Sequence, residues 1–250
     1  MASAGRTSVW LQGKAPRGRR AEQPSGLDLA RITEVTVRLL DAEGLARFSM
    51  RKLAAELNVT AMSVYWYVDT KDDLLELALD RVHGQMVLPD PDSGADWRVR
   101  LRELATAYRS LIVSHPWVSP LTGTFLNIGP QALEFARATQ ALLADTGLPL
   151  PVRSGALASL MQFVYGFGTI EGHFRQRCAA AGKTQDEYVE YAMGAVREEP
   201  GYDERFGWAE SALEARGGGT VAEMRDRDFE VALGLQIAGI EALVARGGTA

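Results

Sequence analysis

The chain has 250 residues, 46% of them hydrophobic, and 27 Lys and Arg against 32 Asp and Glu give a net charge of −5. That length admits one large domain or two modest ones with ample core, and the apolar fraction is that of an ordinary globular protein. A single cysteine, Cys178, excludes an internal disulfide and a multi-cysteine zinc site, and His83, His115 and His173 are too scattered for ligand spacing, so no metal or cofactor is expected.

No apolar run is long enough to span a membrane, and the N-terminus carries charge, Gly and Pro where a signal peptide has its apolar core. A cytoplasmic protein with no membrane partner is expected. Residues 1–26 hold Arg6, Lys14, Arg17, Arg19 and Arg20 against Glu22 alone, a local balance of plus four that leaves minus nine for the rest. They lack apolar periodicity and are expected to be a disordered basic arm, either solvated or laid along DNA.

From Asp28 to Glu43, Ile32, Val35, Leu39 and Leu40 form the buried stripe of a first helix, which Gly44 ends. In RFSMRKLAAELNVTAMSVYWYVDTK, residues 47–71, Ser49 caps a second helix whose inward residues are Leu53, Ala54 and Leu57. Asn58 tolerates the left-handed backbone of a tight turn. Thr60 caps a third helix, stapled by Val59 and Val64, and Thr70 with Asp73 opens a fourth that runs to about Val87. Two short helices joined by a tight turn make a helix-turn-helix, whose second helix usually enters the DNA major groove.

The solvent-facing residues of that helix decide whether the motif is used. Val64 and Val68, four apart, face the core, while Tyr65, Trp66 and part of Tyr67 point elsewhere. Core packing of one or two of these aromatics is the plain alternative to a DNA contact. Arg51, Thr60, Ser63, Tyr65 and Lys71 are expected to hold phosphates, with Trp66 beside them. Ala61, Met62 and Tyr67 are expected at base edges, the apolar ones against thymine methyls. Asp69, Asp72 and Asp73 lie close to this basic footprint and weaken it.

The run from Leu29 to Val82 resembles the DNA-binding domain of the TetR (tetracycline repressor) family. The match is carried by TVRLLDAEGLARFS, RKLAAEL and above all VYWYVDTKDDLLELAL. The family's usual turn glycine is Asn58 here. The resemblance implies an all-helical homodimer that binds a near-palindromic, double-stranded operator and releases it when a small molecule enters a second domain. It also implies that the fourth helix acts as a lever between the domains.

LPDPDSGAD, residues 88–96, is a boundary by composition. It separates a DNA-binding domain at 27–87 from a larger helical ligand-binding and dimerisation domain at 97–246. Helices are expected from Trp97 to Ser114, stopped by His115-Pro116, then as a short piece over Pro120–Asn127, and from Gln131 to Asp145. A long helix follows over Val152–Ala181, then Thr184–Glu198, a polar connection with a short helix near Trp208–Ala215, and a final helix over Thr220–Arg246. The long helix is apolar around much of its girth and needs cover on more than one side. Phe174 on it, with Phe229, Leu233, Ile237 and Ile240 on the last helix, is expected at a dimer interface. FEVALGLQIAGIEALVA there resembles the closing helix of the tetracycline-repressor branch of the family.

No Gly-x-Ser-x-Gly setting, phosphate loop or strand pattern appears, so no enzyme is expected. Glu171 and His173 are two apart and share no helical face. A ligand pocket is implied by the resemblance, and Tyr108, Trp117, Phe125, Phe163, Phe167 and Glu171 suit it, with plain core packing as the alternative for each aromatic. Where tetracycline-binding members place histidines, this chain has Val87 and Thr122, with His83 one turn away from the first. A mainly apolar or aromatic effector is therefore expected in place of magnesium-tetracycline. Control by a protein partner is the alternative.

Overall fold

A computed structural model describes residues 8–11, 27–198, 200–202, 205–208 and 219–247. Ten α-helices and one 3-10 turn occur among them, with no strand. The chain forms two compact units, Met1–Thr146 and Gly147–Ala250.

The first unit opens with α1 (Leu29–Glu43), whose cap Asp28 accepts from the Arg31 N–H at 2.7 Å. Its Ile32, Val35, Thr36 and Leu40 are fully enclosed, and Gly44, at φ 78°, ends it by donating its N–H to the Leu40 carbonyl. Then α2 (Met50–Glu56) starts on Ser49, which accepts from the Lys52 N–H, and α3 (Ala61–Tyr65) starts on Thr60, which accepts from the Ser63 N–H. Asn58 sits between them at φ 55°, the left-handed turn its side chain tolerates. Asn58→Val is expected to destabilise the fold by about 1–2 kcal/mol and Asn58→Gly by almost nothing, read by chemical denaturation. An equal cost for both would show that the turn backbone is not the constraint.

The fourth helix, α4 (Lys71–His83), carries the expected capping box: Thr70 accepts from the Asp73 N–H and the Asp73 carboxylate accepts from the Thr70 N–H. Leu74, Leu75, Ala78, Leu79 and Val82 bury its inner face, and it packs on α1. It stops four residues short of the expected Val87. Gly84 closes it with an N–H to the Asp80 carbonyl, and the chain turns through Gln85 and Met86. Glycine is a poor helix former, and nothing beyond it restores an apolar stripe.

Next come α5 (Trp97–Ser114), α6 (Val118–Thr122) and α7 (Pro130–Ala144), the last with Pro at its first turn. The composition boundary at 88–96 does not divide the packing, since α7 lies on both α4 and α5. The Asp80 carboxylate of α4 accepts from the Gln131 and Ala132 N–H groups of α7, each at 3.0 Å. That places a buried acid on two orphan donors at a helix N-terminus, where the helix dipole favours it. A Cβ at Gly129 would lie 2.3 Å from the same carboxylate oxygen, so only glycine fits there.

The described part of the N-terminal arm is ordered, against expectation. Val9–Leu11 form a 3-10 turn packed on α4. The Ser8 hydroxyl and Val9 N–H both donate to the Glu76 carboxylate, which ties that short piece to α4 and buries Ser8. The other residues of 1–26 lie outside the described set.

In the second unit, α8 (Leu150–Ala180) packs against α9 (Gln185–Arg197) and α10 (Val221–Ala245). Capping boxes at Thr184/Glu187 and Thr220/Glu223 start the latter two. Phe229 stacks on Phe163 at 5.6 Å between ring centroids and meets Phe167 edge-on at 5.3 Å. Of the helix expected near Trp208–Ala215, residues beyond Trp208 lie outside the described set.

Candidate nucleic-acid interface

A five-residue helix has no stability of its own in water. What holds α3 is its Thr60 cap, the Thr60 and Ser63 hydroxyls 2.9 Å apart, and two buried anchors, Val64 and Val68. The opposite side stays open. Met62 is 68% exposed, Trp66 53% and Tyr65 41%. Thr60 is exposed, and Ala61 and Ser63 are half-buried. Large apolar side chains left in water on so short an element call for a partner surface.

Around α3 the charges are arranged unevenly. Arg51 is exposed in the first turn of α2. Lys71 starts α4, donates to the Phe48 carbonyl at 3.2 Å and lies 5.4 Å from the Phe48 ring centroid, which leaves two of its three donors for a phosphate. Lys52 is spent on Glu43, and Arg38 on Glu56 at 2.7 Å. Of the three aspartates close to this footprint, Asp73 is withdrawn: its carboxylate accepts from the Asp69 and Thr70 N–H groups and is buried.

Tyr67 departs from its expected place at a base edge. Its hydroxyl donates to the Leu27 carbonyl at 2.6 Å, which ties the end of the α3 segment to the start of α1. Burial and the neighbouring Asp28 charge both push that phenol above its usual range. Tyr67 thus positions the α3 segment, and its hydroxyl proton is committed within the chain. A partner 40 residues away leaves no sequence signal.

Residues 88–244 match the family profile described as "Tetracyclin repressor-like, C-terminal domain", and residues 32–78 match "Bacterial regulatory proteins, tetR family". The chain belongs to the TetR family. It is 36% identical over 154 residues to an HTH-type transcriptional regulator of Saccharopolyspora erythraea, covering 62% of this chain and 65% of that one. It is 32% identical over 180 residues to the HTH-type transcriptional repressor DrrR1 of Streptomyces coeruleorubidus, covering 72% of this chain and 66% of that one. The matched stretches span just under two thirds of each relative's length. Among solved structures, Streptomyces coelicolor ActR in complex with actinorhodin superposes with a TM-score of 0.65 at 26% identity, covering 88% of this chain and 97% of that one.

The residues expected to line a TetR-type ligand pocket divide between the units. In the first, Tyr108 is buried with its ring 5.3 Å from Phe135, and Phe125 is half-buried near Leu79 and His83. Trp117 is buried and its indole N–H donates to the Asp41 carboxylate at 2.6 Å, the same oxygen that His115 Nδ1 meets at 2.6 Å. That makes Trp117 a strut onto the end of α1, so its indole N–H is not available to a ligand. In the second unit, Phe163 and Phe167 join Phe229 in one aromatic cluster, and Glu171 is buried.

Of the residues expected at a dimer interface, Phe229, Leu233, Ile237 and Ile240 are buried within a single chain. They pack inward as the core of this unit. Phe174 is half-buried against Tyr188, with ring centroids 5.8 Å apart. The exposed face of α10 instead carries Val231 and Leu235, each 69% exposed. Periodicity shows an apolar stripe without showing what covers it.

The Asp80 clamp and the Asp41–His115–Trp117 cluster escape sequence reasoning, because lone acids on helices look like solvated charges. His83 is buried beside Asp80, and its Nδ1 lies 2.8 Å from the Leu79 carbonyl. Burial pushes its pKa below the usual imidazole range, and the Leu79 carbonyl and Asp80 only partly oppose that. The native state therefore binds fewer protons here than the unfolded chain. The stability this contributes is present above the unfolded value of about 6.5 and is lost as pH falls below it. Wild type is expected to lose stability on acidification from pH 7 more steeply than His83→Gln, by up to about 1.4 kcal/mol per pH unit. Parallel profiles for the two proteins would count against this assignment.

Proposed function

We propose that this TetR-family chain is a cytoplasmic transcriptional repressor that binds a near-palindromic operator as a homodimer. A small, mainly apolar or aromatic effector would release it. The observation that carries the reading is α3: a capped five-residue helix with Met62, Tyr65 and Trp66 open to solvent, flanked by Arg51 and Lys71. Tyr65, Ser63, Thr60, Lys71 and Arg51 hold phosphates. Met62 and Ala61 meet thymine methyls, where an apolar side chain discriminates without a hydrogen bond.

A second copy is supported by the exposed apolar positions Val231 and Leu235 of α10, and by the two-fold symmetry of palindromic operators. The complex of ActR with actinorhodin supports control by a small molecule. The test is binding of the full chain to palindromes from its own gene's upstream region, measured against salt. Affinity should fall linearly in log–log form with a slope set by the number of phosphates neutralised. Binding that ignores both sequence and salt would overturn the reading.

A further inference from the structure

Arg225 lies near the start of α10 in the second unit. Its Nε is buried without a hydrogen-bond partner, and it makes no ion pair among the described residues. Its guanidinium instead lies over the Phe174 ring, 4.7 Å from the centroid, and Phe174 is itself set edge-on against Tyr188 of α9. A cation held on an aromatic face in this way keeps its fork in one orientation.

Arg225 borders a cavity of about 330 Å³ between α8, α9 and the first turns of α10. Phe167, Ile170, Val189, Val221 and Met224 line it, with Ile170 at the rim, 67% exposed. Asp228 also borders it. Planar bidentate recognition is what a guanidinium does best with a carboxylate. Ligand sites combine an apolar lining with few polar anchors, and this volume is at the small end of their range.

We propose that this cavity binds a small aromatic carboxylate of one or two rings, its acid group on Arg225 and its ring against Phe167, Val189 and Met224. This rests on the reading of the second unit as the ligand-binding half, and it sharpens the effector class from aromatic to aromatic and anionic.

The experiment is calorimetric titration of the full-length protein with 2-naphthoate and with neutral, isosteric 2-naphthamide, for wild type, Arg225→Gln and Arg225→Lys. Wild type should prefer the acid by about tenfold or more, and Arg225→Gln should abolish most of that preference. Arg225→Lys keeps the charge and loses the fork, so an intermediate preference is expected; it decides the matter if Arg225→Gln does not fold. No acid binding by wild type, or an acid preference that survives in both variants, overturns the proposal. So does a result in which Arg225→Gln dissociates the dimer with the preference intact, for then a second copy covers this surface. An acid that binds through Arg225 yet leaves operator binding unchanged supports the site and counts against the effector-release reading alone.

Discussion

Replacing Tyr65 and Lys71 together by alanine is expected to weaken operator binding by roughly a hundredfold or more, uniformly across operator sequences. Tyr65 stands 41% exposed on α3, and Lys71 starts α4 with two donors uncommitted. Each hydrogen bond to a charged phosphate is worth about 1.5–3 kcal/mol, and a two-fold complex loses it twice. The salt dependence should flatten by about one unit of slope for each lysine–phosphate contact removed. Met62→Ala should behave differently, costing about 1 kcal/mol at one base position and nothing in salt slope. Lys71 also holds the Phe48 carbonyl, so thermal unfolding of the double variant must be followed in parallel. A wild-type melting curve with weakened binding assigns the loss to the interface. Unchanged binding in a folded double variant would show that this face does not meet DNA.

Asp80→Ala is expected to cost about 3 kcal/mol of stability, which in a chain of this size lowers the melting temperature by roughly 6–12 °C. The carboxylate is buried and accepts from two N–H groups at the start of α7, so truncation leaves both donors without a partner. Asp80→Asn keeps an acceptor oxygen and loses the charge, and about half the cost is expected. Gly129→Ala attacks the same joint from the other side, because its new methyl group would collide with the acid. Differential scanning calorimetry of the three variants checks this. Asp80→Ala melting within a degree or so of wild type would show that α4 and α7 are joined by apolar packing alone.

The helix-turn-helix was legible because its rules are local. Ser49, Thr60 and Thr70 each cap the helix that follows within three residues, and Asn58 takes the left-handed turn that a short link requires. Helix ends at Gly44 and His115 follow from the same short-range chemistry. Exposure of Met62, Tyr65 and Trp66 was inferable because a helix of barely two turns has too little buried face for all its apolar residues.

What the tertiary structure decided concerns residues far apart in the chain. Tyr67 finds the Leu27 carbonyl across 40 residues, Asp80 finds the α7 donors across about 50, and Ser8 finds Glu76 across 68. A hydroxyl or a carboxylate has the same propensity whether it faces water or such a partner, so no spacing rule separates the cases. The apolar stripe of α10 shows the same limit. Periodicity identified Phe229, Leu233, Ile237 and Ile240 as a face to be covered, and only packing against α8 assigned that cover to the same chain. Local geometry and patterning thus determine the helices, their caps and the motif, while long-range contacts determine which polar groups are structural and which face remains for a partner.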